Sequence, residues 1–219
     1  FVLWLAGRAV TREKAVEWKE HLVSCRYAPA TINGMLSALN SFFSYFGWQE
    51  CRVKALRVQR RAFRDPSREL TREEYEHLIE TARLLGRERL ALVLETIGAT
   101  GVRVSEVRYL TVEAARSGRA EISLKGKIRT ILLPGKLCRK LLKYARKEKI
   151  ASGEVFRTGG GKSLSRKQIW SEMKNLCHHA GVEPSKVFPH NLRHLFATVF
   201  YRACGDIVKL ADVLGHSIC

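Results

Sequence analysis

Thr100-Gly101-Val102-Arg103-Val104-Ser105-Glu106 is the stretch from which the rest of the chain is read. Before it runs Arg89-Leu90-Ala91-Leu92-Val93-Leu94-Glu95-Thr96-Ile97, apolar on nearly every side, as a helix buried within a domain is. Gly98 and the pair Thr100-Gly101 end that helix in this reading, and residues 102–106 begin the next. Arg103 therefore stands at a helix start, where free amide donors and the positive end of the dipole suit a phosphate. After Gly118 the period changes to two. Residues 120–124 and 128–133 read as strands joined at Lys125-Gly126-Lys127, a hairpin with the glycine that a tight turn wants, and Pro134-Gly135 closes it. Helices resume over 137–149, 166–180, 190–202 and 207–214. The expected fold is mostly α with one small antiparallel sheet, the sheet belonging to an α+β second domain.

Towards the N-terminus the pattern is helical. Thr11 is placed to cap a helix running through Arg12-Glu13-Lys14-Ala15-Val16-Glu17-Trp18, and Thr31 opens a run with Ile32, Met35, Leu36, Leu39, Phe42, Phe43 and Phe46 on a helical period that Gly47 ends. Such a stripe builds a core, so Phe42, Phe43 and Phe46 are read as core residues rather than base-stacking ones. Arg52, Lys54, Arg57, Arg60, Arg61 and Arg64 then follow with no acid until Asp65, and the run closes on Pro66-Ser67. Composition shifts there. The expected organisation is a helical domain over 1–60, a basic linker over 61–68 and a second domain over 69–219 that opens with Thr71 as a helix cap. A charge run is ordinarily a solvated face; in this chain it is read as a strap lying along phosphates, which sets register without reading sequence.

The chain carries 39 Lys+Arg against 21 Asp+Glu, a net charge of +18, and a field of that size attracts polyanions and releases their counterions. Nucleic acid is the leading partner. An anionic membrane surface would also suit the charge, but no apolar run approaches the ~20 residues needed to span a bilayer. The apolar start Phe1-Val2-Leu3-Trp4-Leu5-Ala6 is short for a signal peptide and has no basic flank before it, so the expected location is cytoplasmic, with the nucleoid.

Six cysteines are scattered without paired spacing, which points away from a disulfide framework or a zinc site. Cys177-His178-His179 with His190 and His194 is the one cluster with metal-ligand residue types, yet adjacent His178 and His179 point to different faces and no glutamate base lies between His190 and His194. No metal is expected. Gly159-Gly160-Gly161-Lys162-Ser163 lacks the spacing of a nucleotide-binding loop and a preceding parallel strand, and is read as a loop beside DNA.

Three motifs then fall in order: Thr100-Gly101-Val102-Arg103-Val104-Ser105-Glu106, His190-Asn191-Leu192-Arg193-His194 continuing to Ala197-Thr198, and Leu214-Gly215-His216. In this order, with a basic linker and a helical first domain ahead of them, the chain resembles the tyrosine recombinase (phage-type integrase) family over its whole length. The resemblance implies a site-specific recombinase that cleaves DNA through a 3′-phosphotyrosyl intermediate and rejoins it by attack of a 5′-hydroxyl. It implies Arg103 and Arg193 on the non-bridging oxygens, Lys125 as acid for the leaving 5′-oxygen with Lys127 as second choice, His190 assisting proton removal from the nucleophile, and His216 donating to the phosphate. No cofactor is needed, because the phosphotyrosyl bond conserves the energy of the broken one. Family members assemble as tetramers on two duplexes, passing through a Holliday junction, so a DNA-dependent homo-oligomer is expected.

Taken singly, each residue has a plainer reading: Arg103 and Glu106 as a surface i,i+3 pair, His190 as a helix-start residue, His216 as the follower of a capping glycine. The nucleophilic tyrosine of the family is expected shortly beyond the Leu-Gly-His histidine, whereas the sequence stops at Cys219, and Tyr201 precedes His216. As written, the chain is expected to bind DNA without cleaving it. A non-catalytic architectural or regulatory DNA-binding protein of the same fold is the alternative, and a type IB topoisomerase a third. Thr31, Asn33 and Asn40, with Ser37, are candidates for base contacts on the first-domain helix; Arg52, Lys54, Arg57, Arg60, Arg61, Arg64, Lys127, Arg129 and Lys162 are candidates for the DNA backbone.

Overall fold

The structure, a computed structural model, describes residues 1–58, 66–124 and 127–215. The chain divides into two compact units between residues 63 and 64. Arg60, Arg61 and Arg64, Lys125 and His216 lie outside the described residues, as does the side chain of Lys127.

The first unit is helical: α1 (Val2–Leu5), α2 (Arg12–Ser24) and α3 (Pro29–Tyr45), followed by a 3-10 turn at Gln49–Cys51. Thr11 caps α2, its hydroxyl accepting from Lys14 N at 3.3 Å. Thr31 does not open α3; Pro29 does, with Ala28 at the cap, since proline's fixed φ and missing N–H suit a first turn. Ala15, Trp18 and Leu22 from α2 meet Ile32, Leu36, Leu39 and Phe43 from α3, with Cys51 and Val53 closing the cluster. Of the three phenylalanines assigned to the core only Phe43 is buried; Phe42 and Phe46 are 43% and 51% exposed and lie against Trp48. The reason is one of placement. Position 42 falls to the side of the inward stripe filled by 36, 39 and 43, and Phe46 stands past the last turn of α3 as its C-cap.

The second unit begins after a 3-10 turn at Pro66–Arg68 with α4 (Arg72–Leu84), opened by a full capping box between Thr71 and Glu74. α5 (Glu88–Thr100) is the central helix, buried at Leu90, Ala91, Leu92, Val93, Leu94, Thr96, Ile97 and Thr100, and it packs against α4, α7 (Gly135–Lys147), α8 (Arg166–Ala180) and α9 (Pro189–Cys204). Gly98 does not break α5. It sits within the helix because the ring of Tyr75 lies over it: a Cβ there would come 2.3 Å from the phenolic oxygen. The break comes at Gly101, left-handed at φ 63°.

A 3-10 segment, Val104–Tyr109, replaces the α-helix expected after Arg103, and α6 (Val112–Ser117) leads into the hairpin. β1 (Arg119–Leu124) and β2 (Lys127–Leu132) pair antiparallel with Ala120 opposite Ile131 and Ile122 opposite Arg129. Directly opposed residues share a face, so Ala120, Ile122, Arg129 and Ile131 all lie on one side; the three apolar ones are buried, while Ile128 and Leu132 on the other side are exposed. α10 (Ile207–Leu214), capped by Asp206, ends at Gly215. Cys177 packs in this unit's core, and His194 lies 3.4 Å from Glu69. Among the described residues no helix is long and apolar enough to cross a membrane.

Candidate active site

α9 presents His190 and Arg193 from one helix start. Phe188 stands at the cap and Pro189 in the first turn, a combination that fixes where the helix begins. Asn191, buried, donates its amide to the carbonyls of Arg68 (2.8 Å) and Lys186 (2.9 Å), so the chain on both approaches is tied to this turn. His190 is exposed and Arg193 is buried.

Arg193 donates through Nη1 to the carbonyl of Gly101 and through Nη2 to that of Leu214. Its fork thus joins the end of α5 to the end of α10, two points 113 residues apart in the chain. A side chain at Gly101 would force a neighbour to move, for a Cβ would lie 2.5 Å from the ring of Phe196. Burial, and then the charges of Arg103 and Arg129, lower the pKa of Arg193 to about 10, with Glu106 acting the other way. It remains a cation at neutral pH.

Glu106 is the hub. It is 1% exposed; it accepts from Arg103 N (2.8 Å), from Arg103 Nη1 (2.9 Å) and from Arg129 Nη2. Burial alone would push its carboxyl up, but the hydrogen bonds from Arg103 and the charges of Arg129 and Arg103 outweigh it and hold the group below the usual carboxylate range. The i,i+3 pairing of Arg103 with Glu106 is therefore real, yet it is not a surface pair. Its acid is buried, and the Arg103 side chain keeps 42% exposure, turned outward from a fixed base.

Arg129, a DNA-backbone candidate in the sequence, is built into this base. It shares the buried face of the hairpin, its side chain is 16% exposed, and besides Glu106 it reaches the carbonyl of Val213 at 3.4 Å. Gly215 lies against it, a Cβ there coming 2.6 Å from Arg129 Cδ. Lys125 falls in sequence between β1 and β2, and His216 directly follows Gly215. Both flanks of the site, the hairpin and the end of α10, are thus joined through Arg129 and Arg193.

Among the DNA candidates, Thr31, Arg52, Lys54, Arg57 and Lys162 are exposed. Asn33 and Asn40 are half-buried, and their amides are hydrogen-bonded to the backbone of Leu56 and Val53. The supporting roles of three residues were not read from the sequence. The shared role of Glu106 had no sequence signal. Arg129 had one, its parity with Ile131 on a two-residue period. Asn191 sits inside a quoted motif but gives no sign of its two carbonyl partners.

Comparison with known proteins gives a consistent result. The model of the phage integrase family matches residues 68–218. Tyrosine recombinase XerA of Pyrococcus furiosus is 31% identical, over 96% of this chain and 74% of its own length. XerD of Vibrio cholerae is 27% identical over 92% of this chain and 71% of its own. Among solved structures, XerH site-specific recombinase bound to its difH substrate in a pre-cleavage complex superposes with a TM-score of 0.74 at 22% identity, covering 97% of this chain and 66% of that one. A lambda integrase tetramer bound to a Holliday junction gives a TM-score of 0.71 at 18% identity, over 95% of this chain and 65% of that one. An arginine-centred site of this build, with a family model spanning the second unit and a relative matched along nearly the whole chain, means that the chain belongs to the phage integrase family of tyrosine recombinases, enzymes that break and rejoin DNA.

Proposed function

We propose that the second unit activates one DNA phosphodiester for attack by a tyrosine, and that the first unit holds the duplex. One observation carries this reading: Arg103 and Arg129 share the single carboxylate of Glu106, while Arg193 holds the carbonyls of Gly101 and Leu214, next in the chain to Val102-Arg103 and to the Val213 carbonyl that Arg129 reaches. Like charges packed this way repel, and a phosphate relieves the repulsion. Because their scaffold is already in place, the guanidinium donors need no reorganisation when charge builds on the phosphorane.

In this mechanism Arg103 and Arg193 bind the non-bridging oxygens. The tyrosine that the family resemblance places shortly beyond His216 attacks phosphorus. His190 assists removal of the phenol proton, the bond to the 5′-oxygen breaks, and Lys125 protonates that oxygen as it leaves. His216 donates to the phosphate throughout. Attack of another 5′-hydroxyl on the phosphotyrosine reverses the step and rejoins strands. We further propose assembly as a tetramer on DNA, supported by the likeness in fold to the lambda integrase tetramer.

The test is a nicked recombination site, which lets the cleaved 5′ strand diffuse away. Enzyme carrying its tyrosine is expected to leave an SDS-resistant protein–DNA species, and Arg103→Ala is expected to lower its yield by ~10²-fold or more while duplex binding persists. Undiminished covalent product in that variant would refute the assigned role. Binding to cognate duplex with no covalent product from the unaltered enzyme would favour an architectural protein instead.

A further inference from the structure

The basic segment that follows the first-unit helices has no regular secondary structure over 52–58, yet its backbone is held at three points. Asn33 donates Nδ2 to the carbonyl of Leu56 (3.0 Å) and accepts through Oδ1 from Leu56 N (2.7 Å). Asn40 does the same with Val53, at 2.8 and 2.9 Å. Lys19 from α2 donates Nζ to the carbonyl of Lys54 at 3.0 Å. A carboxamide matched donor to acceptor with the N–H and C=O of one residue imitates a neighbouring strand.

The spacing explains why both clasps close together. Seven residues along a helix rise ~10.5 Å and return to nearly the same face. Three residues of extended chain span ~10 Å. The two spans agree, so the segment lies antiparallel along α3 with Val53 buried and Leu56 packed on the core, while Arg52, Lys54 and Arg57 are left exposed. Beside it, Arg52 and the exposed Ser37, Ser41 and Ser44 line a groove of about 440 Å³.

We propose that Asn33 and Asn40 are positioning residues for DNA binding. By clasping the segment to α3 they hold Arg52, Lys54 and Arg57 as a preformed row of cations for backbone phosphates, with the serine hydroxyls alongside. The entropy of ordering this strand is met when the unit folds rather than when DNA binds. This inference rests on the DNA-binding reading of the first unit given above.

The experiment is fluorescence anisotropy of a labelled duplex with the full 219-residue chain, over a series of salt concentrations. Asn33→Ala with Asn40→Ala is expected to weaken binding by about tenfold and to flatten the log–log salt slope by roughly one phosphate contact. In a chain already carrying Arg52→Ala, Lys54→Ala and Arg57→Ala, the same asparagine changes are expected to cost nothing further, since what they position is gone. Additive losses in the two backgrounds, or an unchanged salt slope, would overturn the proposal. A purely structural role predicts one of those results. Should the double variant fail to fold, Asn33→Ala alone, which keeps the Val53 clasp, runs through the same cycle. If the unaltered chain does not bind duplex DNA, the DNA-binding reading falls, and this inference with it.

Discussion

The arginines of the two units do opposite things with the same side chain. In the first unit Arg52 and Arg57 stand exposed on a segment whose shape is set by other residues, the amides of Asn33 and Asn40. At the site of the second, Arg129 and Arg193 are themselves the fasteners: their forks bind Glu106 and the carbonyls of Gly101, Val213 and Leu214, and of these three arginines Arg103 alone keeps a substantial exposed end. A cation on the surface needs only charge. A buried one needs the right geometry as well, because each donor it fails to place leaves an unmatched group out of water.

That contrast can be broken most severely at Arg193. Arg193→Lys keeps the charge but loses the fork, and covalent attachment to a nicked site is expected to fall ~10²- to 10³-fold, whereas Arg52→Lys should leave duplex affinity by anisotropy within about twofold. Comparable losses at the two positions would erase the distinction. Next in size is Glu106→Gln, which leaves Arg103 and Arg129 beside a neutral amide; a urea midpoint shift worth ~3–5 kcal/mol is expected, against under ~0.5 kcal/mol for Lys54→Ala. Gly101→Ala should cost ~1–3 kcal/mol, since it meets both a left-handed φ of 63° and the ring of Phe196 at 2.5 Å. Thermal unfolding of that variant within a degree of the parent would remove the argument for close approach.

A smaller effect sharpens the comparison through pH. The folded carboxyl of Glu106 lies below its ordinary value, so its share of stability is present above the unfolded pKa and is lost as pH falls through the folded one. Denaturant midpoints taken from pH 7 down to pH 3 should therefore converge for the parent and Glu106→Gln at the acid end. A gap that stays constant with pH would show that the carboxylate's charge is not what holds Arg103 and Arg129.

Much of this architecture could be read from residues alone. The helical period through Leu36, Leu39 and Phe43, the cap at Thr71, and the two-residue period around Ile122 and Ile131 each state a local rule that the structure follows. Where reading failed, a neighbour distant in sequence decided. Gly98 looks like a helix breaker until Tyr75 is seen over it, and nothing next to Asn33 or Asn40 in the chain shows that their amides hold Leu56 and Val53.

The sequence by itself determined the family and the order of the arginine and histidine motifs, because period and spacing are properties of neighbours along the chain. Only the tertiary structure decided which cations face outward and which serve as fasteners. That choice depends on which carbonyls and carboxylates are brought within about 3 Å, and residues such as Arg193, Gly101 and Leu214 meet only when α5, α9 and α10 have packed.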